Sequence, residues 1–243
     1  MKGLILAAGL GTRLRPWTDS HPKALVPVAG KPALQRVIEK MLGSGISDIT
    51  VNVFHFANQI IDFIRHMGWE INIFDERPDL LETGGAILKA ANFLDGTEPI
   101  LVHNADIMSN ADFNLLEYKH LESQAEISLL VSDRESSRKL VFSPDNALVG
   151  WHDLKNGTYR PESFRPTPEF INLAFSGIYI LNPSLITIMK KKGWYGKFSI
   201  IDFLISSLNE YNYRGIIQPG LTHIDIGKPD SLARANEEFN NIL

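Results

Sequence analysis

Through its first half this chain alternates short, apolar-rich runs with longer stretches whose apolar residues recur every three or four positions. GLILAA (3–8), ITVNVF (49–54), EINIF (70–74), PILVHNAD (99–106) and EISLLVSD (126–133) have strand length. Residues 32–42, 57–67, 84–94 and 112–123 have helical spacing, as with Leu34, Val37, Ile38 and Met41. GLILAA has apolar side chains at consecutive positions and no face fit for water, so both its faces must be covered. Helices between the strands supply the cover and allow parallel connections. The expectation is an α/β fold: a mixed, mostly parallel sheet with helices on both faces.

The second half is less regular. Residues 140–153 read as a hairpin around Pro144-Asp145-Asn146, residues 155–169 as a loop or small insertion, and LAFSGIYIL (173–181) as a buried strand. Helices are expected over 183–192 and 199–211, then THIDIG (222–227) as a strand and a last helix from Pro229. No repeat or low-complexity tract appears. We expect a single domain over 1–243, its later segments forming a small lobe over one end of the sheet.

Composition narrows the partners. With 44% apolar residues in 243, the chain can bury a proper core. The formal charge is -4, and the run Lys190-Lys191-Lys192 reads as a solvated helix end, so no nucleic acid is expected as partner. No apolar run approaches the ~20 residues of a membrane span. The opening MKGLILAAGLG is short, broken by glycine and followed by Arg13 and Arg15, unlike a signal peptide. The absence of cysteine excludes thiolate nucleophiles, disulfides and Cys-based metal sites, and fits a cytoplasmic protein.

Three polar clusters fall at the ends of expected strands: 8–15, 104–106 and 225–227. Ligands of such sheets bind at the strands' carboxyl ends. Gly9 and Gly11 let the backbone turn tightly, so that successive N–H groups can wrap an anion. Arg13 adds a planar fork of donors suited to phosphate oxygens. The loop is not G-x-x-x-x-G-K-[ST]. With Leu14 in the third glycine's place it is not G-x-G-x-x-G either.

Taken together, LAAGLGTRLRP (6–16), Pro22-Lys23 and LVPV (25–28) resemble the signature of sugar-1-phosphate nucleotidyltransferases. The resemblance covers nearly the whole chain, including GKP (30–32), ETGGA (82–86), Asp106 and DIG (225–227). LETGGAI and LAFSGIYIL bring it closest to the N-acetylmuramate-1-phosphate uridylyltransferases. The resemblance implies a Rossmann-like fold of the nucleotidyltransferase and GT-A type, with 1–135 mainly binding nucleotide and 136–243 mainly forming a sugar-binding lobe and C-terminal helix. It implies that Ala8, Gly9, Gly11, Thr12 and Arg13 hold a nucleoside triphosphate, with Arg13 on the distal phosphates and Lys23 near the attacked α-phosphate. Arg13 and Lys23 are the implied catalytic pair.

Asp106 and Asp225, far apart in sequence but both at strand ends, suit Mg²⁺, which takes few carboxylates plus waters and substrate phosphates. The matching pair binds Mg²⁺ in the family. This chain departs from the family's commoner Asn-Gly-Asp and Asp-x-Gly-Thr, having Ala105 and Lys228. Glu82 and Gly85 match the segment facing base and sugar; glycine for close helix packing is the competing reading. Asn172, Ser176 and Gly177 are candidates for sugar hydroxyls, against ordinary strand packing. Lys197 is a candidate for the sugar phosphate, against a solvated lysine. His55, His103 and His223 lack metal-ligand spacing and read as structural.

The expected reaction is Mg²⁺-dependent transfer of a nucleotidyl group from a triphosphate, UTP by the closest resemblance, to N-acetylmuramate-1-phosphate, by a monomer or homodimer. A mannose- or hexose-1-phosphate guanylyltransferase is the rival within the family. A non-catalytic, nucleotide-sensing regulatory subunit is the rival of another class. Base, sugar, oligomeric state and metal count are not legible.

Overall fold

The structure, a computed structural model, describes residues 1–240. β1 (Lys2–Leu6) leads through tight turns to a two-stranded hook, β2 (Pro27–Val28) and β3 (Lys31–Pro32). Then follow α1 (Ala33–Gly43), β4 (Ile49–Val53), α2 (Ala57–His66), β5 (Asn72–Asp75), α3 (Glu82–Lys89) and β6 (Ile100–Asn104). β6, β1, β4 and β5 lie side by side, all parallel, with Leu4 opposite both Thr50 and Val102.

The chain continues through β7 (Ile107–Ser109), α4 (Phe113–Ser123), β8 (Ile127–Ser132), β9 (Arg138–Phe142), β10 (Leu148–Asp153), β11 (Thr158–Arg160) and β12 (Ile171–Leu181). It closes with α5 (Ser184–Lys191), α6 (Ile200–Ser206), β13 (Tyr213–Ile217), β14 (His223–Asp225) and α7 (Pro229–Asn240). β12 is the long strand that joins the two halves. It pairs antiparallel with β6, β8 and β9, and β9, β10 and β11 extend the sheet as an antiparallel meander.

Period-two alternation explains the two cores. Ile5, Val51 and Leu101 project to one face, where α1 and α2 pack with Val37, Ile38 and Ile60. Leu4, Val102 and Leu129 project to the other, against Ile87 of α3 and Phe203 of α6. The α/β expectation is met: a mixed sheet covered by helices on both faces.

Local differences have local causes. The expected loop over 155–169 contains β11, whose Trp151–Arg160 and His152–Tyr159 pairings with β10 hold it. The helix expected over 199–211 ends at Ser206, and the Ser207 hydroxyl lies 2.8 Å from the Tyr213 hydroxyl. Tyr213 opens β13, a strand hidden in the sequence by Gly215 at its centre. That glycine is required, because a Cβ there would lie 2.8 Å from the Phe142 ring. Helix α3 starts at Glu82, two residues earlier than expected, and gives way to a 3-10 turn at Ala90–Asn92.

Candidate functional site

β1 ends at Leu6, and the chain must leave the sheet without stranding its polar groups. The Ala7 N–H donates to Asn52 Oδ1, and the Ala105 N–H donates to the Leu6 carbonyl. Gly11 then adopts φ +64° and opens the 3-10 turn Thr12–Leu14. A Cβ on Gly11 would lie 2.8 Å from the Lys23 Cβ, so the loop packs directly on the lysine's stem. Pro22, extended, delivers Lys23 into the third 3-10 turn of this segment, Lys23–Leu25, which follows Trp17–Asp19. The stem is covered, with Lys23 only 7% exposed, and its ammonium emerges among carboxylates.

Those carboxylates are Asp106 and Asp225. Lys23 Nζ donates to Asp106 Oδ2 and lies 3.7 Å from Asp225 Oδ1. A two-stranded ribbon explains how residues so distant in sequence meet. β7 pairs antiparallel with β14, Asp225 stands opposite Ile107, and the Ile226 N–H donates to the Asp106 carbonyl at 3.0 Å. Gly227 completes the arrangement. A Cβ there would be 2.7 Å from Asp225 Oδ1 and 2.9 Å from both an Arg13 guanidinium nitrogen and Lys23 Nζ. Two cations and an anion thus crowd one glycine, a role for Gly227 that its place in DIG did not disclose.

A cleft of about 320 Å³ opens between the loop and α3. Ala8, Gly9, Lys23, Glu82 and Asp106 are in its wall. Its floor holds a pair that sequence reasoning missed, Asn52 and Glu76, both 2% exposed. Asn52 donates to Glu76 Oε1 at 2.6 Å, and the Leu81 N–H donates to Glu76 Oε2 at 2.9 Å. With Ala7 on Asn52, this chain ties the glycine loop to the start of α3. Burial pushes the Glu76 carboxyl above the ordinary glutamate value. The signal in the sequence was an asparagine inside an otherwise apolar strand, since buried polar groups need partners.

The other candidates divide. Glu82, at φ +59°, stands at the cleft with Lys197 Nζ 3.6 Å from its Oε1, so these two meet each other. Gly85 does not face the cleft. A Cβ there would lie 2.1 Å from the Gly196 carbonyl oxygen, so it serves close packing of α3 on the segment before α6. Ser176 is 1% exposed and its hydroxyl donates to the Leu130 carbonyl at 2.7 Å, leaving nothing for a sugar. Asn172 is turned away as well: its Oδ1 lies 3.1 Å from His152 Nδ1, and it is not in the cleft wall. Gly177, at φ +76°, admits Asn104, whose Nδ2 would be 2.7 Å from a Cβ there. Asn104 is in the cleft wall. Of the histidines, His103 Nδ1 sits 2.8 Å from the Asn104 carbonyl and His223 Nε2 donates to the Ser176 carbonyl at 2.8 Å.

Chemically, the arrangement is a glycine loop, two cations and two carboxylates at the strands' carboxyl ends. Among the described residues no group of three or more His, Cys, Asp or Glu gathers to hold a metal, so the two aspartates stand as a pair. Two carboxylates fit a hard cation whose remaining ligands are water and phosphate oxygens. No described helix is long and apolar enough to cross a membrane.

Comparison with known proteins follows the same lines. The profile of the family described as nucleotidyl transferase matches residues 2–241. The chain is 29% identical over 244 residues to the bifunctional protein GlmU of Methanocaldococcus jannaschii, covering 98% of this chain and 54% of that protein. It thus spans about half the length of such bifunctional relatives. It is 28% identical over 236 residues to the N-acetylmuramate alpha-1-phosphate uridylyltransferase of Caulobacter vibrioides, covering 94% of this chain and 92% of that one. Among solved structures, a putative glucose-1-phosphate thymidylyltransferase from Bacillus anthracis superposes with a TM-score of 0.83 at 19% identity, over 100% of this chain and 96% of that one. That likeness shows the fold.

Proposed function

The chain belongs to the nucleotidyl transferase family, and from that premise we propose that it transfers a nucleotidyl group from a nucleoside triphosphate to a sugar-1-phosphate, releasing pyrophosphate. The observation that carries this reading is the meeting of Arg13, Lys23 and Asp225 around Gly227, with Asp106 on Lys23, beside a glycine loop. Both substrates are anionic and repel each other. A site that draws them together must supply fixed positive charge where negative charge gathers.

The chain's own groups have separable tasks in this reading. Loop N–H groups from Ala8 to Thr12 cradle the triphosphate. Arg13 takes the distal phosphates, and Lys23 exchanges its carboxylate partners for the α-phosphate. A sugar-phosphate oxygen then bonds to the α-phosphorus as the bond from that phosphorus to the β-phosphate oxygen breaks, and pyrophosphate departs. The attacking oxygen is already ionised near neutral pH, so neither a general base nor a protein nucleophile is needed. Positioning and charge stabilisation supply the rate. Asp106 and Asp225 would hold Mg²⁺, which when bound offsets charge on the phosphates and the leaving pyrophosphate.

For substrates, we favour UTP and N-acetylmuramate-1-phosphate. The support is the Caulobacter relative named for that activity, which aligns over 94% of this chain. The test is pyrophosphate release with Mg²⁺ across a grid of triphosphates and sugar-1-phosphates. Turnover with UTP and N-acetylmuramate-1-phosphate is expected. A strong signal with GTP and mannose-1-phosphate instead would replace the substrate pair and keep the reaction. A blank grid from folded protein would overturn the reaction, and calorimetry with triphosphates would then test a nucleotide-sensing role.

A further inference from the structure

Lys23 stands between two groups of partners for a cation. On one side its ammonium pairs with Asp106 Oδ2 and lies 3.7 Å from Asp225 Oδ1. Among the described residues it is the one cation within ion-pair distance of either aspartate. Asp225 Oδ1 also accepts from the Gly227 N–H at 2.8 Å. Asp106 Oδ1 and Asp225 Oδ2 have no hydrogen-bond partner among the described residues, so each carboxylate has one oxygen uncommitted. On the other side lies the glycine loop, since Ala8, Gly9, Lys23 and Asp106 share one cleft.

The lysine cannot leave this position as a whole. Its stem packs on Gly11, so only the outer bonds of the side chain are free to turn. The ammonium is then shared between the two carboxylates and a phosphate seated on the loop. The carboxylates are contested in turn. A divalent cation held by both of them would face the ammonium across the same two groups. Like charges at such range repel, and more strongly where the site is partly shielded from water.

We propose that Lys23 is a built-in counter-cation that competes with the divalent metal for Asp106 and Asp225, so that metal and nucleotide bind cooperatively. This rests on the reaction proposed above and deepens it. A nucleotide phosphate draws the ammonium off the carboxylates and opens them to the metal. By reciprocity, the metal frees the ammonium for the phosphate. The chain without nucleotide therefore holds the metal weakly, and both substrates' charges are met only when both cations are engaged.

The test is metal binding to the full chain without nucleotide, where no turnover occurs. Mn²⁺, a cation suited to carboxylate and water, is titrated and its free concentration read by electron paramagnetic resonance. Lys23→Met should bind Mn²⁺ at least about tenfold tighter than wild type, the scale of removing one unit charge from beside a divalent ion. Lys23→Gln should show the same gain and serves if Lys23→Met does not fold. Lys23→Arg, which keeps the charge, should show none. Adding Asp106→Asn and Asp225→Asn to Lys23→Met should cancel the gain. Equal affinity in wild type and the neutral variants, tighter binding by wild type, or a gain that survives loss of both aspartates would overturn the inference. A second arm adds UMP, GMP or dTMP at saturation. At least one should tighten Mn²⁺ on wild type by more than on Lys23→Met; an equal effect on both, or none on either, would overturn the coupling. Pyrophosphate release keeps the two readings apart. Release by a wild type whose metal affinity is indifferent to Lys23 refutes the competition and keeps the reaction. A gain in the neutral variants, with no release by wild type from any sugar-1-phosphate, keeps the competition and refutes the reaction.

Discussion

At the scale of single residues, the site is governed by what Lys23 touches. Its stem is buried under Gly11 and its ammonium is held between two carboxylates, so it is positioned before any ligand arrives. Lys23→Ala should lower turnover by about 10²–10³-fold, the usual effect of removing one group that stabilises developing charge. Circular dichroism should show the fold retained; near-normal turnover would remove Lys23 from the chemistry. This residue was legible through the family resemblance, which Pro22-Lys23 carries together with the glycine loop before it. Glu76 was not legible. Nothing near it in sequence says that a carboxylate will lie beneath the cleft, bound to Asn52 of another strand. Ser176 misled for the converse reason: a serine breaking an apolar strand suggests a ligand, but a buried carbonyl of β8 had already taken its hydroxyl.

At the scale of elements, two segments show how packing sets the terms. In α3, Gly84 and Gly85 lie against Phe198 and the Gly196 carbonyl, and the Gly84 N–H donates to the Phe198 carbonyl at 2.9 Å. Gly85→Ala would push a methyl into backbone that cannot turn aside. A loss of about 1–3 kcal/mol, typical of overpacking, should appear as a lower melting temperature; an unchanged melt would mean that α3 can shift freely. In α1, Lys40 donates to the Ser109 carbonyl of β7 at 2.6 Å and lies 4.8 Å from the Phe113 ring centre. Burial lowers its pKa from 10.5 to about 8. Between those values the unfolded chain holds a proton that the folded chain has released, so stability rises with pH across that window and is at its lower plateau below about 8. Denaturant titrations should show that rise, and Lys40→Met should flatten it. A wild-type curve without the rise would contradict the lysine's burial.

At the scale of the whole molecule, the acidic pair exists only because β7 and β14 find each other. Asp106→Asn and Asp225→Asn should each raise the Mg²⁺ concentration needed for half-maximal turnover by about tenfold or more, a charge-assisted contact being lost in each case. An unchanged Mg²⁺ titration in either variant would sink the metal assignment. The sequence alone determined the α/β architecture, because strand-length and helix-length patterns alternate along its first half and such an order packs helices on both faces of a sheet. It also determined the loop from Ala8 to Arg13 with Lys23 behind it, because local glycine and proline chemistry fixes such turns over a few residues. Tertiary structure alone decided what Gly85, Asn172 and Ser176 face, and that Asn52 and Glu76 support the cleft. The physical reason is common to all of these. A side chain's partner across a sheet or between layers is set by register and packing, and those are properties of the assembled chain, fixed by no short stretch of it.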